Sequence, residues 1–114
     1  MIRIDIGVLN DLLVERTHLS TEKINFDPGQ RVFTMPVGDV RGRRQKAELI
    51  DRSLITVEGV RAMDVRDEAR IVLYDLVHVI HEKGSLTFTS NFPSQIELGL
   101  DPAARVRVET VNSS

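Results

Sequence analysis

The chain has no cysteine and no tryptophan, and only one tyrosine and four phenylalanines in 114 residues. Without cysteine it can form no disulfide and no thiolate metal site, so an ordinary hydrophobic core must hold it, and a reducing compartment, the cytoplasm, is expected. The few aromatics leave no evident stacking platform for single-stranded nucleic acid. No apolar run approaches the roughly 18 residues that cross a bilayer. The charges in Met1-Ile2-Arg3-Ile4-Asp5 also break any signal-peptide core. Neither sign of charge dominates: fifteen Lys and Arg face seventeen Asp and Glu, for a net charge of -2. That balance gives no long-range attraction to nucleic acid. Neither a membrane nor a nucleic acid is the expected partner.

What the sequence does have is period-two alternation. Leu86 and Phe88 share one side of Ser85 to Ser90. Ile96, Leu98 and Leu100 share one side of Gln95 to Leu100, and Ala104, Val106 and Val108 do so after an Asp101-Pro102 turn. Thr87, Thr89, Gln95, Glu97, Arg105, Arg107 and Glu109 take the other side, which predicts an antiparallel meander with one wet face. Ile2, Ile4 and Ile6 predict an opening strand. The segment from Asn10 to Ile24 divides between a short helix and strands, with strand favoured. Asp27-Pro28-Gly29-Gln30 predicts a hairpin in which glycine supplies a positive φ, and Pro36 is expected to end the returning strand. Glu58-Gly59 fits either a hairpin turn or a glycine bulge.

Asp67 to Gly84 is the ambiguous segment. Ala69, Val72, Leu73, Leu76, Val77, Val79 and Ile80 fall on one face of a helical wheel, whereas its β-branched content and Glu82-Lys83-Gly84 favour strands and a hairpin. Two strands broken near Asp75 are the preferred reading. The fold class expected is mainly β: a small antiparallel sandwich or partly open barrel of about six to eight strands with at most one or two helices. The alternative is α+β with a helix at 68–83. Length and the lack of any linker imply a single domain over 1–114, with a flexible basic loop at 37–46.

The succession of Val57-Glu58-Gly59-Val60, Tyr74-Asp75-Leu76 and a hairpin into Leu86-Thr87-Phe88 resembles small bacterial β-rich domains of no assigned activity. The resemblance covers the second half of the chain. It implies a fold and transfers no functional residue.

Chemistry is sparsely signalled. Asp75, His78, His81 and Glu82 form the one local cluster of metal-competent or acid/base groups. On a helix Asp75, His78 and Glu82 would share a face and could hold a divalent ion; on a strand His78 and His81 diverge. The order His-Val-Ile-His-Glu matches no zinc-protease motif, and no metal or other cofactor is expected. Asp75, flanked by Leu73 and Leu76, either serves as a general base of raised pKa or organises a break in the chain. His18 stands isolated in the sequence, and neither a nucleophile elbow nor a phosphate loop is present.

Binding is better represented. Arg41, Arg43, Arg44 and Lys46 offer fork-shaped and point-charge donors to carboxylates or phosphates. Phe92, in Asn91-Phe92-Pro93-Ser94, is a candidate anchor at a turn tip. These features predict a non-catalytic protein-interaction module, of the bacterial inhibitor, immunity-type or adaptor kind. Its expected partner is another protein, with a homo-oligomer formed through unclosed sheet edges as a further expectation. The alternatives are a metal-dependent or acid/base enzyme at the Asp75 cluster and weak nucleic-acid binding through the Arg41 to Lys46 loop.

Overall fold

A computed structural model describes residues 2–4, 18–20, 23–41, 48–67, 73–90 and 94–110. These residues form eight strands and no α-helix: β1 (Ile2–Ile4), β2 (His18–Ser20), β3 (Asn25–Asp27), β4 (Val32–Arg41), β5 (Glu48–Asp67), β6 (Leu73–Glu82), β7 (Ser85–Ser90) and β8 (Ser94–Thr110). Every pairing is antiparallel, and the order β1-β8-β5-β4-β2-β6-β7 curls until β7 meets β8 again. Among the described residues the ring closes between β4 and β6 through the three residues of β2. The result is an open, curled half-barrel, the second of the two architectures expected from the alternation.

β5 and β8 build the fold because each runs through two half-sheets. Their Ser53–Glu58 and Arg105–Thr110 stretches pair with each other, flanked by β4 and β1. Their Val60–Asp67 and Ser94–Leu100 stretches pair with each other and continue into β7 and β6. Strands turn such corners through bulges. Between Glu58↔Arg105 and Val60↔Leu100, β5 spends only Gly59 while β8 spends Asp101-Pro102-Ala103-Ala104; Arg61 is then skipped before Ala62↔Gly99.

The bulges explain the phase of the pattern. Ile55 and Val57 are inward, Val60 is inward after one shift, and Met63 packs against the core after the next. Gly59 is therefore the bulge and not the hairpin turn. Its φ is 82°, and a Cβ there would lie 3.0 Å from the Cα of Ala104.

Several expectations are corrected. The second and third segments of the meander are one strand, β8, which passes through Asp101-Pro102 without reversing. Pro102 falls in the looped-out stretch, where no ladder donor is required. Pro36 does not end β4: among the described residues neither β3 nor β2 pairs with it, so its missing N–H costs nothing on that side. Val37 to Arg41 of the expected 37–46 loop accordingly belong to β4, with Val37 buried and Arg41 paired across from Glu48.

Asp67 to Gly84 holds no break at Asp75. β6 is continuous from Leu73, with one register shift between Leu76 and His78, and it turns into β7 at Gly84, whose φ is 80°. In the β3–β4 hairpin the left-handed residue is Arg31, with φ 59°, and not Gly29. Asp27 Oδ1 accepts from the backbone N–H of Gly29 at 2.9 Å and of Gln30 at 3.2 Å, which holds the turn from its first residue. The carbonyl of Arg31 then accepts from both Gly59 N–H and Val60 N–H at 3.0 Å.

The core lies between the half-sheets. Phe33, Met35, Ile55, Val57 and Val106 from one side meet Val79, Leu86, Phe88, Ile96 and Leu98 from the other, all buried. Each such side chain contributes about 1.5–3 kcal/mol on burial. Ser90 and Ser94 are buried and satisfied: Ser90 Oγ donates to the carbonyl of Ser94 at 3.1 Å, and Ser94 Oγ donates to that of Arg66 at 3.0 Å.

Candidate functional site

Arg43, Arg44, Lys46 and Phe92 lie outside the described residues, and Arg41 is placed only as the last position of β4. The Asp75 cluster is placed by β6. Leu76 pairs with Ser90 and His78 with Thr89, so Val77 is the extra residue of a bulge. Ser90 shares its face with the core residues Leu86 and Phe88. By alternation, positions 75, 78 and 82 fall on the outer face and position 81 on the inner one. His81 and Glu82 are exposed at the strand's end. Positions 78 and 81 therefore lie on opposite faces of β6.

A different neighbour joins the outer face. β2 pairs with β6 so that His18 stands directly across from Asp75. Leu19, the next residue, is in the core at 1% exposure, which puts His18 on the outer side. His18 is half-buried. The register thus sets one histidine position opposite one aspartate position, with His78 just beyond the bulge. Nothing in the sequence signals this register, because the two strands are far apart in the chain. Among the described residues no group of three or more His, Asp or Glu side chains is gathered for a metal ion.

At the corner of the fold Asp101 receives two guanidinium groups: Arg31 Nη1 donates to its Oδ2 at 2.8 Å, and Arg61 Nε lies 3.6 Å from its Oδ1. The backbone meets here too, with Leu100 N–H donating to the carbonyl of Gly84 at 2.9 Å. This cluster ties the β3–β4 turn, the β5 bulge and the β8 bulge together. Its arginines spend their charge on a carboxylate of the same chain.

The third feature is an edge. β4 accompanies β5 only as far as Val32↔Glu58, so among the described residues Ala62–Asp67 is paired on the β8 side alone and Arg61, at the bulge, in neither ladder. Val65, in the middle of this stretch, is 39% exposed although its position shares a row with the buried Phe88 and Ile96. Asp64 and Arg66 flank it on the outer face, 67% and 70% exposed, with Arg66 Nε 3.7 Å from Asp64 Oδ2. An edge of this kind presents unpaired backbone donors and acceptors, the usual template for an added strand.

Among the described residues no helix is long and apolar enough to cross a membrane. Comparison with protein families, with curated proteins and with solved structures returns no match.

Proposed function

We propose that the protein is a non-catalytic interaction module that binds other polypeptide through the Ala62–Asp67 edge of β5. The observation that carries this reading is that, among the described residues, the edge has a strand partner on one side only while Val65 is exposed along it. An incoming strand would gain main-chain hydrogen bonds from the edge. Val65, Asp64 and Arg66 would select its sequence. Strand addition is one way an inhibitor, immunity-type protein or adaptor could engage its partner, and a cysteine-free chain suits the reducing cytoplasm.

A photo-crosslinking side chain at position 65 tests the reading, with the same probe at the exposed Arg105 as control. Adducts to polypeptide from position 65 and none from position 105 are expected. Equal yields from both positions, or none from either, would contradict it.

One register favours a second reading, acid/base or metal-assisted chemistry on the outer face of β2 and β6. The register sets the His18 position across from the Asp75 position, and histidine with a carboxylate is the combination that such chemistry uses. Zinc titration by calorimetry separates the two readings. Binding that survives His81→Ala and is lost in His18→Ala would support the second reading; no binding in the wild type would remove its metal form.

A further inference from the structure

The sequence of the β5 edge is complementary to itself. Two copies of one edge strand related by a two-fold axis perpendicular to the sheet pair antiparallel, and partners must lie on the same face. The possible registers therefore centre on one residue. Centring on Asp64 sets Asp64 against its own copy, and centring on Arg66 does the same for arginine. Centring on Met63 sets the exposed Val65 against Arg61. Centring on Val65 sets Val65 against Val65, Asp64 against Arg66, and Arg66 against Asp64.

We infer that the occupant of the β5 edge is a second copy of this chain, paired in the register centred on Val65. The inference rests on the reading of that edge as the interaction surface and names its partner. The half-sheet β6-β7-β8-β5 of one copy continues into β5-β8-β7-β6 of the other, giving a single sheet across the dimer. Both charged pairs sit on the outer face, where Asp64 and Arg66 are exposed in the isolated chain. Val65 and its copy meet on the inner face beside Met63, which already packs against the core. Apolar contact at the axis and opposite charges on either side are the cross-strand pairs that stabilise antiparallel sheets.

Sedimentation velocity over a range of concentrations, on the full chain, tests the register by charge exchange. The wild type is expected to move from 12.9 kDa towards twice that mass as concentration rises. Asp64→Arg and Arg66→Asp each place like charges opposite one another and weaken association by about tenfold or more. The double variant Asp64→Arg with Arg66→Asp restores opposite charges and recovers the wild-type association. A double variant no better than the singles would overturn the register. A wild type that stays monomeric at every concentration would overturn self-pairing itself, whereas failure of the wider reading shows separately as the loss of every adduct from position 65.

Discussion

The rings of Phe33 and Phe88 stack across the interior with their centroids 6.0 Å apart and their planes 22° from parallel. Phe33 lies on β4 and Phe88 on β7, so this contact joins the two half-sheets that β5 and β8 connect covalently. Both are at most 1% exposed. Truncating either ring leaves a void between layers that are held apart by the rest of the core. Phe88→Ala is expected to cost about 3–5 kcal/mol in urea unfolding. The double-mutant cycle with Phe33→Ala should return a coupling of about 0.5–1.5 kcal/mol. Additive losses would mean that the rings do not act as a pair.

Gly59 and Gly84 have nearly the same φ, 82° and 80°, but different surroundings. A Cβ at Gly59 meets the Cα of Ala104 at 3.0 Å, whereas at Gly84 the nearest atom is Arg61 Nη2, at 4.0 Å. Gly84→Ala should therefore cost only the left-handed penalty of about 1–2 kcal/mol. Gly59→Ala pays that penalty and must also push β8 away, so it should be clearly the more damaging of the two by denaturant midpoint. Equal losses would show that the bulge yields without strain.

Arg107 Nη2 donates to Glu58 Oε1 at 2.7 Å, with the two side chains 27% and 36% exposed. Partial exposure keeps this pair in the range of surface bridges. A Glu58→Gln and Arg107→Gln cycle should give about 0.5–1 kcal/mol at low salt, falling as ionic strength rises. A coupling indifferent to salt would contradict an electrostatic origin.

The turn at Asp27 makes a conservative and a disruptive substitution distinguishable. Asp27→Asn retains the side-chain oxygen that receives Gly29 N–H and Gln30 N–H. Asp27→Ala removes it and should lower stability by about 0.5–1 kcal/mol at this exposed site. If Asn and Ala are equally destabilising, the carboxylate charge and not the turn geometry is what matters.

Much of the fold is legible because burial on one face forces alternation. Leu86, Phe88, Ile96, Leu98, Leu100 and Val106 all reach the core as their spacing implies. Where the sequence misleads, a tertiary partner replaces a local rule. Asp101-Pro102 reads as a reversal, yet β5 holds the strands on both sides of it in line. Pro36 reads as a stop, yet it falls where its neighbouring strands change over.

The sites are less legible, since they depend on register. The His18 position is set across from the Asp75 position by a three-residue strand that carries no pattern of its own. The self-complementarity of Asp64-Val65-Arg66 acquires meaning only once β4 is known to stop short of it. Nothing in the local sequence marks Arg31 as the left-handed residue of its turn, a conformation that accompanies the seating of its carbonyl on Gly59 N–H and Val60 N–H.

Amide hydrogen exchange along Ala62 to Asp67 tests the open edge most directly, because successive amides of a regular strand point alternately to its two sides. In dilute protein the account predicts alternating slow and fast exchange, the slow amides donating to β8, with the fast set becoming protected as concentration rises. Uniformly slow exchange in the dilute monomer would mean that the chain already covers this edge, contradicting the account.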